Sequence, residues 1–87
     1  MWSVYLIQHS ITGVRYIGRT SNLYQRLLDH QSGHQTATRR TSGEWRFIYI
    51  ETYRSQFDAI ERERKLKQHG SAKRKLYDRL AQSLLED

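Results

Sequence analysis

Near the start of the chain, Trp2-Ser3-Val4-Tyr5-Leu6-Ile7 is apolar or aromatic at every position but one. At the two-residue period of an extended strand, that run puts bulky side chains on both faces. Such a strand must be covered on both sides, which predicts a central position in a sheet. The demand is severe for 87 residues, since a chain this small buries only about 60–65% of its unfolded surface. There is room for one domain, 1–87, and no more. Cysteine is absent, so neither a disulfide framework nor a thiolate metal site can supplement the core. No apolar run approaches the ~18–20 residues of a membrane span, and no signal-peptide core is present, so the expected setting is the reducing cytoplasm, with no membrane partner.

The remaining elements follow from turn and cap signals. Ser10-Ile11-Thr12-Gly13 reads as a turn with Gly13 supplying positive φ, returning Val14–Gly18 as an antiparallel strand. Thr20, Ser21 and Asn22 are N-cap candidates for a helix running to Gln31, before Gly33. Residues 32–44 read as a long polar loop, and loops of that length are usually functional. Trp45–Tyr53 is a third strand, rich in aromatic and β-branched residues. Gln56–Gln68 reads as a helix with Gly70 as its C-cap, and Ser71 caps a last helix to about Leu85. The order ββαβαα predicts an α/β (α+β) domain, a small three-stranded, mostly antiparallel sheet flanked by helices.

Charge points to a class of partner. Fifteen Lys and Arg face nine Asp and Glu, a net charge of +6, which favours a polyanion. Residues 61–80 concentrate the excess, with eight basic side chains against three acidic ones. Nucleic acid is the first reading; solvated helix faces and an anionic membrane surface are the others.

Two helices carry polar groups in unusual places. On a wheel of the first, Leu23, Tyr24, Leu27 and Leu28 span an arc of about 140° that reads as the core stripe. Arg26 and His30, four residues apart, project together from its shoulder; the alternative is a surface pair, with His30 favoured by the helix C-terminus. In the second helix Glu63 falls inside the apolar arc of Ala59, Ile60 and Leu66, whereas Glu61 lies opposite. A carboxylate there requires a partner or a metal, and Lys67 at i+4 offers only a weak pair. Tyr5 and Tyr16 could face each other across the first hairpin or simply pack. His30 and His34 are interrupted by Gly33 and do not read as a metal pair; His9 and His69 read as solvated.

Val4-Tyr5-Leu6 followed by Tyr16-Ile17-Gly18 resembles the paired motifs of the GIY-YIG nuclease family, especially its short single-domain members. The first motif is Ser3-Val4-Tyr5 here, keeping the tyrosine, and the second is intact through Gly18. Arg26 and His30 match the family's arginine and the histidine or tyrosine one turn later. Ala59-Ile60-Glu61-Arg62-Glu63 looks like the helix carrying its metal-binding glutamate, with Glu63 the better match. The resemblance runs from about Trp2 to Lys67. A late asparagine of some members has no counterpart, and Arg19 stands where others carry lysine; arginine stays protonated and can only stabilise charge.

The resemblance implies a metal-dependent endonuclease cutting DNA phosphodiester bonds, single- or double-stranded, in repair or recombination. Glu63 would hold one Mg²⁺ or Mn²⁺, Arg26 a phosphate oxygen, and Tyr16 would activate or orient water. A phenol is a weak base at neutral pH unless cations lower its pKa; Tyr5 and His30 would support it, and either Tyr16 or His30 could be the base. Arg19, Arg39, Arg40, Lys65 and Lys67 would grip nucleic acid, largely without reading sequence. A lone domain of this kind would be weakly specific, selective for structured or single-stranded substrate, or directed by a protein partner or oligomer. Two rivals stand beside it: a non-catalytic nucleic-acid-binding module of the same fold, and an adaptor docking through a stripe of Leu76, Tyr77, Leu80 and Leu84.

Overall fold

The computed structural model describes residues 1–32, 43–68 and 70–85; the expectations for Arg39, Arg40, His34 and His69 fall outside them. The elements are β1 (Trp2–His9), β2 (Arg15–Thr20), α1 (Leu23–Gln31), β3 (Trp45–Tyr53), α2 (Gln56–Lys67) and α3 (Ser71–Arg79). The expected ββαβαα order is observed. The sheet runs β2-β1-β3, with β1 central and both pairings antiparallel.

The double-sided apolar character of β1 is used as its period dictates. Val4 and Leu6 join Ile17, Ala59, Leu66, Leu76 and Leu80 in the core beneath α2 and α3. Tyr5 and Ile7 point the other way, packing with Trp45 and, from α1, Leu23 and Leu27. One strand thus anchors two small cores, and both faces exclude water.

Caps and turns set the boundaries. Gly13 takes φ 73°, as the turn requires. Thr20 Oγ1 accepts the Asn22 N–H (3.0 Å), and Asn22 Oδ1 accepts the Gln25 N–H (3.0 Å), so Asn22 is the N-cap of α1. Gly70 does not cap α2: Gln68 holds that place, and Gly70 is the extended N-cap residue of α3, with Ser71 its first helical residue. The last helix stops at Arg79, short of the expected Leu85. The segment beyond it is tied down by the buried side chain of Gln8, whose Oε1 accepts the Leu85 N–H (2.7 Å) and whose Nε2 donates to the Leu85 carbonyl (3.3 Å).

Four expectations are corrected. α1 is rotated from its anticipated orientation: Leu23, Leu27 and His30 form the inner stripe, while Tyr24 and Leu28 are exposed. The rotation gives a buried tyrosine hydroxyl of β1 a partner on α1. Ile60 on α2 is likewise exposed. His9 is buried rather than solvated, its Nδ1 accepting the Ile11 and Thr12 N–H groups (both 3.2 Å) in the first turn. Leu76 and Leu80 are core residues, with Tyr77 and Leu84 packed against them, so the stripe proposed for an adaptor is spent on the fold itself.

Glycine is indispensable at one point of the sheet. Gly18 of β2 pairs with Tyr5 of β1, and the Tyr5 ring lies across it so closely that an added Cβ would stand 2.5 Å from Cζ. Tyr5 is buried and has little room to yield. Gly18→Ala is expected to cost about 1–3 kcal/mol by overpacking, measured by urea denaturation. In a Tyr5→Leu background, where no ring crosses position 18, the cost of the same change should shrink.

Candidate active site

The β1–β2 register places Tyr5 opposite Gly18 and Tyr16 opposite Ile7, making the two tyrosines diagonal neighbours on the α1 face. They do not face each other directly. Both meet His30, which α1 delivers from its C-terminal turn. Tyr5 Oη and His30 Nε2 are hydrogen-bonded at 2.8 Å. The Tyr16 and His30 rings contact edge to face, with centroids 5.2 Å apart.

Burial determines the protonation of His30 and Tyr5. His30 is 1% exposed, and its pKa is pushed down to about 4, by desolvation first and then by the nearby Arg26 cation, against a smaller upward pull from Asp29. The ring is therefore neutral near pH 7. Desolvation likewise pushes the Tyr5 phenol well above its ordinary range; Arg26 opposes the shift, while Tyr16, Glu63 and Asp29 add to it. Arg26 is half-buried, and among the described residues its guanidinium makes no hydrogen bond or ion pair.

Glu63 arrives from α2, on the opposite face of the sheet, and meets the site around the edge strand β2. Both its oxygens are engaged: Oε1 accepts from Arg19 Nε at 3.1 Å and Oε2 pairs with Lys67 Nζ at 3.0 Å. The Lys67 ammonium also lies 5.4 Å from the Tyr16 ring centroid, joining the carboxylate to the tyrosines. The guanidinium of Arg19 stands over the Trp2 ring at 5.5 Å. The carboxylate inside an apolar arc thus found two cations rather than the single Lys67 anticipated. No group of three or more His, Asp or Glu side chains converges as a metal cage among the described residues. A single carboxylate still suits an ion such as Mg²⁺, which keeps most of its water and takes phosphate oxygens.

The structure therefore joins Tyr5 and Tyr16 through His30 and links Tyr16 through Lys67 to Glu63, with Arg19 also on the carboxylate; Arg26 lies one turn before His30 on α1. Lys65 stands apart, exposed and unpaired among the described residues. The sequence reading missed Glu51 of β3. It accepts from Tyr49 (2.7 Å), Tyr53 (2.6 Å) and the Arg62 guanidinium (3.0 Å to each oxygen). Its signal was available, since Tyr49, Glu51 and Tyr53 alternate onto one face of a strand.

A family model described as the GIY-YIG catalytic domain matches residues 1–78, nearly the whole chain. Neither the curated proteins nor the solved structures provide a match.

The neutral His30 makes stability depend on acid. In the unfolded chain the imidazole takes a proton near its ordinary pKa of 6.5, but in the fold only near 4. Its contribution is thus complete above pH 6.5 and is lost as pH falls from there toward 4, by up to about 1.4 kcal/mol per pH unit. Glu51, whose pKa is lowered from 4.5, contributes its own loss only below that value. Urea denaturation between pH 7.5 and 5 should show the earlier loss in the wild type, and a flatter profile in His30→Gln.

Proposed function

This chain belongs to the GIY-YIG family, and from that premise we propose that it is an endonuclease hydrolysing DNA phosphodiester bonds at the Tyr5–Tyr16–Arg26–His30–Glu63 site with one divalent ion, Mg²⁺ or Mn²⁺. The observation that carries this reading is the half-buried Arg26 guanidinium, unpaired among the described residues, one turn from the His30 that Tyr5 and Tyr16 meet. A cation left without an anion at a partly desolvated position is a ready phosphate receptor.

Hydrolysis requires a water in line with the leaving oxygen and positive charge around the phosphate as negative charge builds up. Arg26 holds a non-bridging oxygen. Tyr16 orients the water; its hydroxyl makes no hydrogen bond among the described residues and is free to do so. His30 is too buried to touch substrate, and its hydrogen bond goes to Tyr5. Those two are therefore positioning residues that hold the Tyr16 ring through the edge-to-face contact. Glu63 would hold the ion, which supplies Lewis-acid polarisation of the phosphate and stabilises the departing oxygen. To accept it, the carboxylate must give up one of its present partners. Lys67, about half exposed at 47% against 28% for Arg19, is the easier to release and can then turn to phosphate. The attacking water's oxygen forms the new bond to phosphorus as its proton passes to solvent, the bond to the leaving oxygen breaks, and that oxygen takes a proton from solvent.

One observation favours a second reading. Glu63 is already neutralised by two cations, as a purely structural carboxylate would be, and a module that binds DNA without cutting needs nothing more from it. Cleavage of labelled single- and double-stranded DNA, with and without Mg²⁺ or Mn²⁺, separates the two. Metal-dependent cutting is expected from the wild type. Glu63→Gln should lower it at least about a hundredfold while keeping DNA affinity within a few-fold, an effect on the order of 3 kcal/mol in the barrier. Tyr16→Phe should lose rate without losing affinity. Equal binding by all three proteins with no cutting by the wild type would establish the binding module instead.

A further inference from the structure

On the other flank of α2 from Glu63, α2 and α3 enclose a cleft of about 260 Å³ lined by Arg62, Ser71, Ala72, Lys75, Leu76 and Arg79. Three of these six side chains are cationic and none is acidic. We propose that this cleft is a second phosphate-binding site, which holds the nucleic-acid backbone at a point separate from the Arg26 centre.

The cations are arranged for an external anion. Lys75 and Arg79 sit one turn apart on α3, where like charges repel, and neither has an ion-pair partner among the described residues. Arg62 is held in place from the sheet side: its Nε and Nη2 donate to Glu51, leaving Nη1 uncommitted among the described residues. Glu51 is itself anchored by Tyr49 and Tyr53, so the Arg62 fork is fixed before any ligand arrives, which reduces the entropy lost on binding. The N-cap of α3 is Gly70, which offers no capping side chain, and Ser71 and Ala72 of that first turn line the same cleft. The arrangement combines one immobilised guanidinium, two cations unpaired among the described residues and the start of a helix.

A nucleic-acid strand rather than a small anion is the ligand this placement favours. Consecutive residues of α2, Arg62 and Glu63, reach β3 and β2 respectively. Those strands are separated by β1 alone, which is roughly 10 Å at the usual strand spacing. That is about three nucleotides of one strand at 3.4 Å each. A backbone engaged at the Glu63 edge of the proposed site therefore has phosphates within reach of the cleft, and two such contacts grip it without reading bases. The inference rests on nucleic acid being the ligand of this protein; it does not require that the nucleic acid be cut.

The test compares Lys75→Ala/Arg79→Ala with Lys73→Ala/Arg74→Ala, which removes the same charge from the same helix outside the cleft. Binding of a labelled oligonucleotide is followed by fluorescence anisotropy between 50 and 200 mM salt. The cleft pair should weaken binding about tenfold at 50 mM and reduce the slope of log K against log salt by about 1.4–1.8, the share of two phosphate contacts. The other pair should change the slope by less than half as much, and Lys75→Arg/Arg79→Lys should restore it. Equal losses from both pairs, or no loss from the cleft pair, would overturn the proposal. So would inorganic phosphate shifting the α3 amide resonances while the oligonucleotide leaves them unmoved, which would mean a small-anion site. If the wild type binds with these slopes but cuts nothing, the cleft stands and the nuclease reading fails.

Discussion

The architecture of the site depends on one polar group placed where water cannot reach it. Tyr5 lies on the central strand, and the position that makes its ring a core residue also buries its hydroxyl. A buried hydroxyl without a partner would cost roughly 1–3 kcal/mol, so something on the covering helix must meet it. His30 does, at 2.8 Å, and two consequences follow. α1 must turn so that His30 rather than Tyr24 faces inward. Gly18 must lack a side chain, because the ring reaches its partner across that strand. The orientation of Arg26, one turn before His30, is then inherited, and its side chain is half covered and unpaired among the described residues. Arg26 is left free for the phosphate role proposed for it because His30, not Arg26, is committed to tyrosine.

Electrostatics divides the molecule along α2. Its core residues, Ala59 and Leu66, face the sheet, and the charges on either side of that line are clamped in opposite polarity. Glu63 meets Arg19 of β2, and Arg62 meets Glu51 of β3. Both pairs are partly sheltered, where losing one partner costs more than the intact pair contributes. The helix is thus aligned by two crossed ion pairs, with a candidate metal ligand on one flank and a cationic cleft on the other. The excess positive charge seen in residues 61–80 consists of cations these pairs leave over: Lys65, Lys73, Arg74, Lys75 and Arg79 have no ion-pair partner among the described residues.

Elements defined by periodicity and caps were legible in the chain. The two-faced pattern of Trp2–Ile7 made β1 central; Trp45–Tyr53 was bounded as observed; Gly13 turned the hairpin. The resemblance that singled out Tyr5, Tyr16, Arg26, His30 and Glu63 rested on their order and spacing along the chain. What was not legible depends on contacts distant in sequence. A wheel weighs side chains by hydropathy and so placed Tyr24 and Leu28 inward; it cannot know that a hydroxyl on another strand recruits His30. Lys67 was visible as a local partner of Glu63, whereas Arg19 is 44 residues away and enters only once β2 and α2 pack. His9 shows the same limit locally, since its burial depends on two backbone donors of a turn that hydropathy does not weigh.

The dual engagement of Glu63 bears on how stability and chemistry are balanced in so small a domain. A carboxylate left bare at this position, awaiting a metal, would be a partly desolvated charge in a chain with little core to offset it. Pairing it with Arg19 and Lys67 removes that penalty in the metal-free protein and aligns α2 at the same time. The two partners are not equivalent. Arg19 is pinned, its guanidinium over Trp2 and its neighbours locked in the sheet, whereas Lys67 belongs to the last turn of α2 and keeps half its side chain in water. The divalent ion proposed for this site would therefore replace the weaker contact while the stronger one continues to hold the helix, so occupying the site need not unclamp the fold. The local i,i+4 pair with Lys67 would thus let one glutamate serve both the structure and the proposed reaction.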